Sequence, residues 1–220
     1  MLILLTLCVL WFYIFILEKE SPIGEFVLKG WEIMSGKLVF VTGGIRSGKS
    51  EFAEDITSGL GKNIVYLATA QVHDEEMSQR INLHRIRRPE NWTTVEEPVN
   101  VANAISEHGY RCDAILLDCL TMLISNLMFS FVQSKGLEYQ KEWQPEILQE
   151  IAVLATKAKE VKANVVIVSN EVGMTLVSDN YLGRQYQELV GKANQIIAGM
   201  ADQAYLVVAG YPIDLKKGRG

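Results

Sequence analysis

The chain lacks a long basic block. Its 21 Lys and Arg face 26 Asp and Glu, a formal net charge of −5. A broad electrostatic footprint for nucleic acid is therefore not expected. It has only three cysteines, Cys8, Cys112 and Cys119, without zinc-like spacing or the pattern of a disulfide framework. That usage points to a reducing, cytoplasmic setting. There are no internal repeats and no low-complexity linker, which argues against solenoid arrays. No Lys or Arg precedes the apolar run at residues 2–17, so a secretory signal lacks its basic n-region. What remains is ordinary globular composition, 49% hydrophobic and 21% charged over 220 residues, suited to one domain of moderate size with a sizeable core.

Residues 2–17, LILLTLCVLWFYIFIL, leave several readings open. The run is short of the ~20 residues a spanning helix wants. Its β-branched and aromatic content also suits a buried strand, and Lys19 offers only a weak positive-inside cue. Met34 lies four residues before the next strand, and its upstream codons are purine-rich, so translation starting at Met34 is a third expectation. The expected organisation is an N-terminal apolar extension over 1–33, with membrane association if it is translated, and a nucleotide-binding catalytic domain over 34–220.

That domain is organised around Leu38–Ser50, LVFVTGGIRSGKS. Leu38 to Val41 reads as a buried strand. Gly43, Gly48, Lys49 and Ser50 fit G-x-x-x-x-G-K-[ST], the phosphate-binding loop, in its required strand-to-helix context. Glycines let successive backbone N–H groups turn inward on phosphate oxygens, and the following helix adds its positive end. Lys49 can reach the outer phosphates and the Ser50 hydroxyl can ligate Mg²⁺.

Strand and helix patterns alternate from there. Helix is expected over Glu51–Leu60, strand over Asn63–Thr69, and a helix opened by Asp74-Glu75-Glu76 and ended by Pro89. Strand follows at Asp113–Leu117, helix at Thr121–Val132, a loop over Ser134–Trp143, and helix at Pro145–Lys162. The series closes with strand Asn164–Val168, helix Tyr181–Met200 and a final strand Ala204–Ala209. The fold class is α/β, a P-loop NTPase-type (RecA-like), mostly parallel sheet with helices on both faces. Ligands in such sheets bind beyond the carboxyl ends of the strands. Thr42 to Ser50, Thr69 to Gln71, Asp118 and Asn170-Glu171 should therefore meet in one crevice.

Two residues carry open alternatives. Asp118 ends an apolar strand, where a phosphate-loop enzyme holds Mg²⁺; the alternative is a cap on the next helix. His84, followed by Arg85, Arg87 and Arg88, reads blandly as a surface histidine. Among those positive charges a neutral imidazole also suits nucleophilic attack on phosphorus. His73 reads as a loop residue, and His108 as a helix terminus beside Gly109.

Five stretches together resemble the bifunctional adenosylcobinamide kinase / adenosylcobinamide-phosphate guanylyltransferase family of cobalamin biosynthesis. They are VTGGIRSGKSEFAE, YLATAQVHDEEMSQRINLHRIRRPENWTTVEEP, LLDCLTMLISNLM, SNEVGM and NYLGRQYQELVGKANQ. The resemblance implies phosphorylation of adenosylcobinamide by ATP or GTP, then transfer of GMP from GTP through a covalent GMP-histidine to give adenosylcobinamide-GDP. By the match of INLHRIRRP, that histidine falls on His84, with Lys49 the other catalytic position. Nucleotide contacts fall on Gly43, Gly44, Ile45, Arg46, Ser47, Gly48, Lys49 and Ser50, and on Ala68, Thr69 and Ala70. Others fall on Arg85, Ile86, Arg87 and Arg88, and on Glu96 and Asp118, with Ser50 and Asp118 toward Mg²⁺ through phosphates or water. Asn170 and Glu171 are expected to line the site. The resemblance implies a homotrimer, whose apolar contact surface could lie on the Thr121–Val132 helix. The departures are the N-terminal extension, Ile45 where small residues are common, and Asp118 where some members have Glu. The competing functions are a guanylyltransferase without kinase activity and a membrane-tethered nucleotide switch.

Overall fold

Five apolar runs become the interior strands of one sheet. A computed structural model describes residues 35–71, 89–136 and 140–217, with the side chains of 140–142 left out. Within it Ser35–Gly220 is one compact unit. The strands are β1 Leu38–Gly43, β2 Ile64–Ala68, β3 Thr93–Glu96, β4 Ala114–Asp118, β5 Asn164–Asn170, β6 Gln203–Val208 and β7 Tyr211–Asp214. The helices are α1 Lys49–Ser58, α2 Val101–His108, α3 Leu120–Lys135, α4 Gln140–Glu160 and α5 Tyr181–Met200. The sheet order is β3-β2-β4-β5-β1-β6-β7. All pairs are parallel except β6–β7, which is antiparallel.

Continuous apolar strands follow from burial on both faces, since successive side chains point to opposite sides. Leu38 and Phe40 of β1 join Ile115, Leu117, Val165 and Ile167 in one core layer, filled by α2, α3, α4 and α5. Val39 and Val41 join Leu116, Val166 and Val168 in the other, against Ala53 and Phe52 of α1 and against Trp92. Register is pinned at the amino ends. Asp113 Oδ2 accepts from the backbone N–H of Lys62 and Asn63, at 2.9 Å each. Asp202 Oδ2 accepts from Leu38 N at 2.7 Å and its Oδ1 from Lys159 Nζ at 2.6 Å.

Several boundaries differ from expectation. The loop expected over Ser134–Trp143 is largely helix, because α3 runs to Lys135 and α4 begins at Gln140. Trp143 is fully buried on α4, so the aromatic anchor overrides the polar residues around it. Ala204–Ala209 is not the last strand; the chain turns at Ala209-Gly210, both at positive φ, and returns as β7. Strand β3 carries no expectation, being four mostly exposed residues at a sheet edge, and of helix α2 only the end is expected. His108 does end a helix beside Gly109. Helix α5 begins as its pattern predicts: the Asn180 side chain accepts from Leu182 N and Gly183 N. The apolar residues of α3, Leu123, Ile124, Leu127 and Met128, lie in the chain's own core, leaving Phe129 exposed. Among the described residues no helix is long and apolar enough to cross a membrane; residues 2–17 lie outside them.

Candidate functional site

The strand ends define a rim. Gly43, Ala68, Glu96, Asp118 and Asn170 close β1, β2, β3, β4 and β5 in turn. Register pairs Gly43 with Asn170, and Ala68 with both Glu96 and Asp118. The phosphate-loop residues leave this rim between β1 and α1.

The loop is fixed from several sides. Ser47 N donates to Gly44 O at 3.2 Å, closing its turn. Arg46 and Gly48 take positive φ, 57° and 91°, so the chain reverses before Lys49 opens α1. Gly48 suits this because it has no Cβ to strain. Gly210 N donates to Ser47 O at 2.7 Å, so the β6–β7 turn braces the loop from behind. Gly43 sits where a Cβ would lie 2.5 Å from Val207 O and 2.6 Å from Ser47 Oγ. Ile45 is 83% exposed and packs against nothing in the core.

Lys49 is buried and its ammonium donates to Gly44 O at 3.2 Å. Burial lowers its pKa below the ordinary lysine value, while the negative forms of Cys119 and Asp118 pull it back up. The Asp118 carboxylate thus lies within electrostatic reach of this ammonium. Ser50 is half-buried in the first turn of α1. Nearby, the buried hydroxyls of Thr42 and Ser47 make no hydrogen bond among the described residues. Buried polar groups are normally paired, so these mark a loop with bonding capacity in reserve for phosphate oxygens.

Asp118 is held by groups the sequence does not announce. Tyr66 OH donates to Asp118 Oδ2 at 2.7 Å. Thr69 knots the β2 and β4 ends: its N donates to Asp118 O at 3.1 Å, and its hydroxyl both donates to Cys119 O and accepts from Cys119 N, at 2.8 Å each. The Asp118–Cys119 peptide bond is cis. Asn126 Nδ2 spans Thr69 O at 2.8 Å and Pro98 O at 2.9 Å, joining the turns after β2 and β3. Only period-2 alternation in β2 places Tyr66 on the α1 face. Nothing local marks Asn126.

The other expected residues divide. Ala68 and Ala70 are half-buried, Thr69 is buried, and Glu96 is exposed at the end of β3. Asn170 Nδ2 donates to Thr121 Oγ1 at 2.9 Å, which ties β5 to the start of α3. Glu171 N continues the pairing to Gly43 O at 3.0 Å, while its carboxylate accepts from Gly173 N at 3.1 Å. His84, Arg85, Ile86, Arg87 and Arg88 lie outside the described residues, as does His73.

The donor set near the loop is hard oxygen, from Ser50 and Asp118, which suits Mg²⁺. Among the described residues no three His, Cys, Asp or Glu side chains gather into a metal cage. A divalent ion here fits a site completed by phosphate and water.

A protein-family model described as "Cobinamide kinase / cobinamide phosphate guanyltransferase" matches residues 39–215. Bifunctional adenosylcobalamin biosynthesis protein CobU of Escherichia coli strain K12 is 36% identical over 184 residues, covering 81% of this chain and 99% of that protein. The protein of the same name from Salmonella typhimurium gives the same values. Bifunctional adenosylcobalamin biosynthesis protein CobP of Pseudomonas aeruginosa is 35% identical over 176 residues, covering 80% of this chain and 95% of that protein. With a mostly parallel sheet, a phosphate loop at the end of its inner strand β1, and this match over nearly the whole of the described unit, the chain belongs to the cobinamide kinase / cobinamide phosphate guanyltransferase family.

Proposed function

We propose that this protein is a bifunctional enzyme of cobalamin biosynthesis. It phosphorylates the aminopropanol hydroxyl of adenosylcobinamide with ATP or GTP. It then converts the product to adenosylcobinamide-GDP with GTP. The observation that carries the reading is the buried Lys49 at the phosphate loop, within electrostatic reach of Asp118, in a chain of this family.

In the kinase step the backbone of Gly43 to Ser50 and the Lys49 ammonium hold the triphosphate and neutralise charge on the transferred group. Burial has already stripped water from Lys49, so its charge acts in a medium that screens it weakly. Ser50 and Asp118 would hold Mg²⁺ through phosphates or water; when bound it adds positive charge beside the phosphates. In the guanylyl step an imidazole nitrogen of His84 attacks the α-phosphorus of GTP. A P–N bond forms, the α–β anhydride breaks, and pyrophosphate leaves. A phosphate oxygen of adenosylcobinamide phosphate then attacks the same phosphorus, and the P–N electrons return to the imidazole. The labile P–N bond divides one difficult transfer into two easier ones. Arg85, Arg87, Arg88 and Glu96 complete the nucleotide site in this reading, and the working assembly is a homotrimer in the cytoplasm.

The test uses full-length protein, Mg²⁺ and GTP labelled at the α-phosphate. A covalent label is expected that is labile to acid, stable to base, absent from His84→Ala and discharged by adenosylcobinamide phosphate. Label-free protein that still binds GTP would refute the guanylyl half. Failure to phosphorylate adenosylcobinamide while the label forms would leave a guanylyltransferase alone.

A further inference from the structure

The loop between β5 and α5 is tightly organised, yet it shows its apolar side chains to water. Met174 is 77% exposed, Leu176 93% and Val177 77%. Loops that project large apolar groups are commonly loose; this one is pinned by several side chains, Gln187 foremost. Gln187 Nε2 lies 3.2 Å from Val172 O, from Thr175 Oγ1 and from Leu176 O, and its Oε1 accepts from Ser178 N at 3.3 Å. Arg184 adds bonds to Ser178 O and Asp179 O, and Thr175 Oγ1 donates to Val172 O. The backbone is therefore held so that these three side chains face outward. Exposed apolar surface maintained in this way marks a binding surface.

Its place identifies the occupant. The loop leaves β5 at Glu171, whose N–H is bonded to Gly43 at the root of the phosphate loop. Ile45, 83% exposed, projects from the phosphate loop itself. Among the described residues, the turns after β2, β3 and β4 offer the rim no exposed large apolar side chain. Exposed apolar side chains thus gather on the side of the rim that carries the phosphate loop, with Val208 and Tyr211 of the β6–β7 turn behind it. An acceptor whose hydroxyl must reach the outer phosphate has to approach from outside this edge, because the sheet beneath is filled with buried side chains.

We propose that Met174, Leu176 and Val177 form the lip that seats the corrin macrocycle of the acceptor. This rests on the functional reading above and adds the subsite to it. A corrin is a wide, flat ring edged by methyl groups and amides. Its apolar face suits a fixed apolar ledge, and its amides can remain in water. Gln187 is a positioning residue that holds the ledge in shape.

The experiment compares full-length protein with its Met174→Ser/Leu176→Ser/Val177→Ser variant. Equilibrium dialysis, followed by the visible absorbance of cobinamide, reads corrinoid binding without requiring turnover. Kinase assays read KM for cobinamide, and sedimentation reads assembly state. Corrinoid binding should weaken on the order of tenfold or more, with KM rising in parallel and GTP affinity and assembly unchanged. Equal corrinoid affinity in both proteins overturns the proposal. So does a change of assembly state with corrinoid affinity preserved, which assigns the surface to a second copy of the chain. Should the triple variant not fold, Leu176→Trp replaces it: cobinamide should quench the added emission, and lack of quenching refutes the lip. Parent protein that binds cobinamide on this lip but phosphorylates nothing refutes the functional reading alone.

Discussion

Two adjacent glycines of the phosphate loop should respond very differently to one added methyl group. At Gly43 the new Cβ would lie 2.5 Å from Val207 O and 2.6 Å from Ser47 Oγ. The first distance is roughly 0.9 Å inside ordinary contact. Ser47 is a side chain and can turn. Val207 O cannot withdraw so readily, because it belongs to β6 backbone in register with Gly43. Gly43→Ala must therefore part β1 from β6 locally, an overpacking cost of about 1–3 kcal/mol. For a chain of this size each kcal/mol lowers Tm by roughly 2–4 °C, so a fall of about 2–12 °C is expected. At Gly44 a Cβ meets nothing within 4 Å and the backbone φ is not positive. Gly44→Ala should stay within about 0.5 kcal/mol of the parent. Calorimetric melting of the nucleotide-free protein measures both, and GTP binding should weaken for Gly43→Ala because its strand carries the loop. Equal Tm losses, or a larger loss at Gly44, would refute the packing argument.

Two further outcomes follow from the site. Tyr66→Phe removes the 2.7 Å bond to the Asp118 carboxylate, and should cost about 1–2 kcal/mol in urea unfolding while raising the Mg²⁺ concentration needed for half-maximal activity; an unchanged Mg²⁺ requirement refutes the link. The Cys119 thiol is pushed up to about 11, first by burial and then by the Asp118 carboxylate, against an ordinary 9.0. Below pH 9 the thiol is protonated in both folded and unfolded chains. Between pH 9 and about 11 only the unfolded chain gains by ionising, so this one thiol should lower stability by on the order of 2 kcal/mol across that window. Cys119→Ala should lessen the fall, with Cys112, also pushed up to about 11 by burial and Asp113, supplying the remainder. Parallel urea midpoints for parent and variant over that range would refute the assignment.

Much of the fold was legible because parallel strands buried on both faces read as continuous apolar runs. β1, β2, β4, β5 and α5 fall within a residue or two of expectation. The misses have physical causes. β3 is a short, mostly exposed edge strand with little apolar signal. β7 exists because Ala209 and Gly210 reverse the chain, and its residues Tyr211 and Ile213 stay exposed, so no alternation of buried positions marks it. The start of α4 depends on Trp143 finding a fully buried place that its polar neighbours do not announce.

By itself the sequence determined the phosphate loop, its strand-to-helix setting and the family, since those rest on local glycine spacing and on ordered motifs. Tertiary structure decided what surrounds them. It placed the Asp118 carboxylate within reach of Lys49, and gave Asp118 a partner in Tyr66, 52 residues away. It bonded the amide of Asn170, at the rim end of β5, to Thr121 at the start of α3. It set Gln187 beneath the β5–α5 loop and so turned three apolar residues outward. Local spacing can specify a backbone that wraps phosphate, because that geometry is built from adjacent residues. Contacts between strand ends depend on sheet order and register, which arise only when distant segments bury their apolar faces together.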